Sequence, residues 1–192
     1  VVLEDGSIPP KVREILKQLP SITEDFHAKK EVSHCTKHHI ETIGPPVTSK
    51  VRPLFGAKLE AARREFQRLE ELGVVRRSKS LYASPIHLVP KGNDWRICGD
   101  YRRLNERTVS DAYPMPNISS LAAVLHGSTV FSKLDLTRAY NQIPVDEEAI
   151  KKTAVVTPVG LFEYLRMPFG LKNAGQTFQQ FMDELFGDME NV

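Results

Sequence analysis

Apolar residues recur at helical spacing over 57–72. Leu59, Ala62, Phe66, Leu69 and Leu72 share one face, Arg63, Arg64 and Arg68 lie off it, and Gly73 supplies a terminator. A second stripe runs through Phe178, Phe181, Met182, Leu185, Phe186 and Met189, which reads as core packing rather than a cofactor box. Asn173 and Gln176 offer a cap for that helix. Between the two helices the pattern becomes strand-like. Residues 86–89 and 95–98 flank the turn residues Lys91-Gly92-Asn93-Asp94 and predict a hairpin with a basic tip. Residues 153–157 and 161–165 flank Thr157-Pro158-Val159-Gly160, whose Pro and Gly fit a type I turn, and predict a second hairpin. The run 130–136 is apolar enough for a buried strand, with Asp135 near its end. Shorter helices are expected at three places. The first carries Val12, Ile15, Leu16 and Leu19 on one face, with Ser7 as cap, Pro9 and Pro10 in the first turn, and Pro20 as stop. The second runs from Asp100, as cap, through Leu104, and the third covers 118–125 and ends at Gly127. Gly44-Pro45-Pro46 and Pro53 deny long helices to 20–55, which reads as an extended arm. Adjacent hairpins set among helices predict an α+β fold, not a doubly wound parallel sheet.

Composition narrows the class. The 192 residues are 41% hydrophobic and 26% charged, which is ordinary globular composition and argues against a disordered chain. No apolar run approaches the ~20 residues of a membrane helix, so no membrane partner is expected. Two cysteines, Cys35 and Cys98, argue against a disulfide-stapled secreted module. The chain opens on Val1-Val2 and stops on Val192, and both ends are expected to be cuts in a longer polypeptide. Net charge is only +2, but it is unevenly spread. Residues 1–49 carry 6 Lys+Arg against 7 Asp+Glu, residues 50–107 carry 14 against 7, and residues 108–192 carry 6 against 10. The basic middle can meet polyanions and the acidic third can hold cations; both also read as solvated helix faces.

Asp135 is the sharpest candidate. A carboxylate after the apolar run Phe131-Ser132-Lys133-Leu134 can cap the next helix or bind Mg²⁺, which prefers carboxylate oxygen. A two-metal site needs further carboxylates, and Asp146-Glu147-Glu148 reads as an exposed polar turn. His34-Cys35-Thr36-Lys37-His38-His39 has metal-binding residue types without the spacing that closes a zinc tetrahedron, so it reads as a polar arm. Lys91 and Arg96 can reach phosphates or simply decorate an exposed turn. Gly170, after Phe169, can admit close backbone approach to a ligand or serve a plain strand-to-helix turn. There is no Walker loop and no GxGxxG.

Several segments in order resemble the reverse transcriptases of gypsy-type LTR retrotransposons. They are Tyr82-Ala83-Ser84-Pro85-Ile86-His87-Leu88-Val89-Pro90-Lys91, Trp95-Arg96-Ile97-Cys98-Gly99-Asp100-Tyr101-Arg102-Arg103-Leu104-Asn105 and Asp111-Ala112-Tyr113-Pro114-Met115-Pro116, followed by Phe131-Ser132-Lys133-Leu134-Asp135-Leu136-Thr137-Arg138-Ala139-Tyr140-Asn141-Gln142-Ile143, Lys152-Thr153-Ala154 and Arg166-Met167-Pro168-Phe169-Gly170-Leu171-Lys172-Asn173-Ala174. The resemblance runs from about His39 to the end. It implies a right-hand polymerase fold, with residues 1–40 as a protease-to-polymerase linker and 41–192 as fingers and the N-terminal part of the palm, truncated before the family's Tyr-x-Asp-Asp motif.

The roles the resemblance implies are specific. Asp135 matches the first catalytic aspartate, which binds both Mg²⁺ ions, and Leu136 matches the position whose carbonyl helps ligate the nucleotide's metal. Lys91 and Arg96 match fingers residues that clamp the incoming phosphates; Arg138 and Ala139 match residues beside the triphosphate. Tyr140 matches the steric gate against a 2′-hydroxyl, and Phe169 and Gly170 match a loop facing the new base pair. Phe169 stands where lentiviral enzymes have Gln, so a side-chain hydrogen bond to the nucleotide is not carried over. No Tyr-x-Asp-Asp occurs in the 192 residues, and the fragment is expected to be inactive alone. Implied partners are an RNA or DNA template-primer, dNTP, and the remaining palm, thumb and RNase H segments of the polyprotein, in a cytoplasmic particle. The competing reading is a non-catalytic nucleic-acid-binding remnant or domesticated protein using the basic surface of 50–107.

Overall fold

The computed structural model describes residues 10–19, 28, 32–92, 94–117, 119, 126–127, 129 and 135–189. Among these, five strands form one sheet in the order β1-β5-β4-β2-β3, made of β1 (Val75–Arg77), β2 (Ser84–Lys91), β3 (Asp94–Gly99), β4 (Val155–Thr157) and β5 (Gly160–Tyr164). Both expected hairpins are present. β2 and β3 pair antiparallel from Ile86↔Gly99 to Lys91↔Asp94, and β4 and β5 pair around Thr157↔Gly160. A short parallel seam, Ser84↔Val155 and Pro85↔Val156, joins one hairpin to the other. The base of β2 is buried and its tip is exposed.

The helices are α1 (Pro10–Gln18), α2 (Ala57–Glu71), α3 (Arg102–Arg107), α4 (Glu147–Ile150) and α5 (Ala174–Phe186), with 3-10 turns at Ala139–Gln142 and Lys151–Thr153. The apolar stripe of α2 buries Ala62, Phe66 and Leu69, and the Phe66 and Phe162 rings meet at 4.8 Å. Gly73 ends α2 in the left-handed conformation, φ 74°, which glycine adopts without a Cβ clash. No described helix is long and apolar enough to cross a membrane.

Several local expectations need correction. Ser7, Pro9 and Pro20 lie outside the described residues; α1 buries none of its own, and Ile15 and, just past its end, Leu19 are exposed. Asp100 does not cap α3; Tyr101 stands at the cap position, and the Asp100 carboxylate instead takes the guanidinium groups of Arg102 and Arg52 at 2.7 and 2.6 Å. The hydrogen-bonded Arg102 holds Asp100 well below the usual carboxylate range. Asn173 occupies the N-cap of α5 without capping through its side chain, which bonds Asp111 N and Val109 O at 3.2 and 2.8 Å. Asp146, read as part of an exposed turn, is half-buried and caps α4 by accepting from Glu148 N. The stripe of α5 buries Phe181 but leaves Leu185 and Met189 exposed. Residues 118, 120–125 and 130–134 of the expected helix and strand lie outside the described residues.

The histidine-rich segment is no solvated arm. His38 is 1% exposed, its Nδ1 lies 2.8 Å from Thr177 Oγ1 on α5, and its backbone bridges to Val145. His34 packs on the Phe181 ring at 4.6 Å, and Glu184 accepts from the backbone N–H groups of Cys35 and Thr36 at 2.7 and 3.0 Å. The described residues gather no group of three or more His, Cys, Asp or Glu able to hold a metal.

Burial lowers the His38 pKa from its ordinary 6.5 to about 4, with nearby His39 adding to the effect and Asp111 opposing it. The fold therefore needs the neutral ring. Above pH 6.5 the contribution is complete; as pH falls from 6.5 towards 4 the unfolded chain takes up a proton that the folded chain refuses. Stability should drop by about 2–3 kcal/mol over that window. Urea unfolding at both ends of the window checks this, and an equal drop in His38→Gln would refute it.

Candidate active site

A cleft of about 530 Å³ lies where the β2–β3 hairpin, α2 and the segment around Arg138 meet. The hairpin supplies Lys91, Trp95, Arg96 and Cys98; α2 supplies Glu65 and Arg68. Arg138, Asn141 and Phe169 close the remaining wall. The hairpin tip is tied to α2 by Arg64–Asp94 at 2.9 Å and by Lys58 Nζ over the Trp95 ring at 4.8 Å. Asp94 thereby has a cationic partner outside the cleft lining. No ion pair engages Lys91, Arg96 or Arg138 among the described residues.

Arg138 is the described non-glycine residue with a left-handed backbone, φ 51° and ψ 42°. Such a conformation costs about 1–2 kcal/mol in an L residue. Three tethers hold it: Asn141 N donates to Arg138 O at 2.8 Å, Gln142 Nε2 to Thr137 O at 3.1 Å, and Asn141 Nδ2 to Met167 O at 3.1 Å. Burial lowers the Arg138 pKa, with the Arg68 charge adding to it and Glu65 opposing.

Aromatic rings line the other side. The Phe169 ring lies 4.5 Å from the Arg96 guanidinium and 5.0 Å from the Tyr140 ring, which in turn lies 5.4 Å from Phe178. Gly170 has φ 92°, and its carbonyl accepts from Asn105 Nδ2 at 2.7 Å. Asn105 Oδ1 also accepts from Lys172 N at 3.0 Å, so this one amide fixes both ends of the Gly170–Lys172 turn.

Lys91, Arg96, Arg138 and Phe169 thus share one cleft, with Tyr140 packed at a tilt against Phe169 and Gly170 following it. Ala139 begins the 3-10 turn after Arg138. Asp135 and Leu136 precede that turn, are exposed, and form no part of the cleft wall. The Asp135 carboxylate and the adjacent Leu136 carbonyl are oxygen donors of the kind Mg²⁺ prefers, but one carboxylate is not a complete site. Sequence reasoning gave no role to Glu65, Arg68, Trp95 or Asn105. Glu65 and Arg68 are legible as an i,i+3 charge pair; their place in the cleft is not. A concave site with unpaired cations beside exposed aromatic faces is suited to a small polyanion carrying a ring.

The reverse transcriptase (RNA-dependent DNA polymerase) family model matches residues 89–192, more than half of the chain. The chain belongs to the reverse transcriptase family. The chain is 36% identical over 188 residues to the retrovirus-related Pol polyprotein from transposon 297 of Drosophila melanogaster, covering 94% of this chain and 18% of that protein. It is 33% identical over 184 residues to the transposon Tf2-3 polyprotein of Schizosaccharomyces pombe, covering 93% of this chain and 14% of that one. The chain therefore spans less than a fifth of these relatives. Both are transposon polyproteins, in accord with the retrotransposon resemblance of the motifs. Among solved structures, the foamy viral protease-reverse transcriptase in complex with RNA/DNA hybrid superposes with a TM-score of 0.80 at 17% identity, covering 97% of this chain and 26% of that one. The native prototype foamy virus protease-reverse transcriptase gives 0.76 at 22% identity, with the same coverage. These two likenesses establish the fold, with its fingers and palm.

In this reverse transcriptase chain, Arg138→Gly should leave stability within about 1 kcal/mol, because relief of the left-handed strain offsets the added chain entropy. It should weaken binding of inorganic tripolyphosphate about tenfold or more. Thermal unfolding and titration calorimetry of the variant check both parts; full affinity would remove Arg138 from the site.

Proposed function

We propose that the chain forms the fingers and N-terminal palm of an RNA-directed DNA polymerase, and that the cleft receives the incoming dNTP. The observation that carries this reading is the convergence of Lys91, Arg96 and Arg138 in one cleft walled by Phe169, with Tyr140 packed against that ring. Lys91 and Arg96 hold the phosphates from the hairpin, and Arg138 holds them from the turn. Phe169 and the Gly170 backbone face the new base pair, and Ala139 lies beside the triphosphate. Tyr140 sits under the sugar and excludes a 2′-hydroxyl.

Residues 1–40 serve as the linker from a protease segment and 41–192 as the polymerase part, whose primer-template is RNA or DNA. Asp135 and the Leu136 carbonyl would hold Mg²⁺, which when bound supplies charge neutralisation for in-line attack of a primer 3′-hydroxyl on the α-phosphate. The remaining carboxylates come from a Tyr-x-Asp-Asp hairpin absent from these 192 residues. Orientation of the reactants by the cleft cations contributes the rest of the rate.

The 192 residues alone should not extend a primer, because one candidate carboxylate cannot hold two ions against a triphosphate. Produced in one chain with the palm segment carrying Tyr-x-Asp-Asp, they should extend a primer on an RNA template, and Asp135→Asn should abolish extension there. Extension that survives Asp135→Asn would sink the reading.

In the same extended chain, Tyr140→Val should admit ribonucleotides while dNTP incorporation continues. Unchanged selectivity in a single-nucleotide incorporation assay would refute the gate.

A further inference from the structure

We infer that Arg68 is a further triphosphate-binding residue, and that Glu65 is its resident counter-ion, displaced when the polyphosphate enters. The inference rests on the reading of the cleft as the nucleotide site. Arg68 belongs to the polar face of α2, where a guanidinium ordinarily meets only solvent. Here it lines the same cleft as Lys91, Arg96 and Arg138. Its one ion pair among the described residues is to Glu65, an i,i+3 neighbour at 3.1 Å, with the two side chains 54% and 34% exposed. A pair this open to water is weak and gives way to a stronger anion. Glu65 also faces the cleft, and its charge acts on Arg138 as well as on Arg68.

Arg68 and Arg138 act on each other as like charges. Two guanidinium groups held in one concavity with a single shared carboxylate form a site completed by an anion of more than one charge. Asp94, the other carboxylate of the cleft, pairs with Arg64, which lies outside the cleft lining. The volume, about 530 Å³, is that of a small-molecule pocket rather than of a duplex track, which favours a nucleoside triphosphate over a nucleic-acid backbone.

The test titrates the 192-residue chain with inorganic tripolyphosphate and, separately, with a single-stranded RNA oligonucleotide. Calorimetry gives the affinity. Trp95, the single tryptophan of the chain and a cleft residue, reports where the anion sits. Arg68→Gln should weaken tripolyphosphate binding about tenfold, as should Arg96→Gln. Glu65→Gln should tighten it several-fold, and Arg63→Gln, off the cleft, should leave it unchanged. Thermal unfolding confirms that each variant is folded; should Arg68→Gln not fold, the tightening in Glu65→Gln decides.

If Arg96→Gln weakens binding and Arg68→Gln does not, the role of Arg68 falls and the nucleotide reading stands. If neither variant weakens binding, the nucleotide reading itself falls. A loss in Arg68→Gln confined to the oligonucleotide assigns Arg68 to the nucleic-acid track and overturns the inference. Unchanged or weaker binding in Glu65→Gln overturns the counter-ion role.

Discussion

The buried phenol of Tyr101 sets the geometry on which the cleft depends. Its side chain is among the largest fully buried in the chain, and its hydroxyl donates to Thr153 O at 2.9 Å. That bond ties the end of the β2–β3 hairpin to the approach of β4, beside the parallel seam between the two hairpins. Leaving such a buried group unpaired would cost about 1–3 kcal/mol, so the bond is a requirement of the packing rather than an addition to it. The ring also dictates its neighbours. A Cβ on Gly99 would lie 2.5 Å from it, and one on Gly170 would lie 3.6 Å from it. Arg96 on β3 and Phe169 before Gly170 are therefore held in register across one aromatic ring.

Around that fixed point, charge and strain are placed where they can act on a ligand. The ties from hairpin to α2 use Arg64, Asp94, Lys58 and the Trp95 face, and leave Lys91 and Arg96 free of carboxylate partners among the described residues. The left-handed Arg138 is over-determined by the bonds of Asn141 and Gln142. Positions strained in this way cluster at active sites, which accords with the role proposed for Arg138.

What was legible in the sequence follows from the range of the forces involved. The α2 helix and both hairpins were readable because periodicity and turn chemistry are local. The failures occur where a side chain finds a distant partner. Asp100 abandons the cap for Arg52, and Asn173 abandons it for the backbone of Val109 and Asp111. His38 is drawn inside by Thr177, so a segment polar in composition is buried in fact. The gathering of Lys91, Arg96, Arg138 and Phe169 was implied by family resemblance and could not have come from spacing, since the sheet brings them together. Arg68 shows the opposite limit: an arginine off an apolar stripe reads as solvent-facing, and only the neighbouring hairpin turns that face into a cleft wall.

The uneven charge of the chain acquires a physical meaning at residues 135–138. The basic middle contributes Arg68, Lys91 and Arg96 to the cleft, and the acidic third places Asp135 three residues before Arg138 and outside the cleft wall. Three residues of backbone separate Asp135 from Arg138, a span of at most about 11 Å fully extended. The left-handed turn at Arg138 bends the chain at the end of that span. A polyphosphate held by Arg138 is thus confined to the neighbourhood of the Asp135 carboxylate, whose charge would repel it in the absence of a cation. A cation held by Asp135, as proposed, would answer that repulsion, and a bound polyphosphate would then meet both signs of charge. A purely basic cleft would bind polyphosphate more simply, so the carboxylate placed beside it argues for chemistry rather than for binding alone.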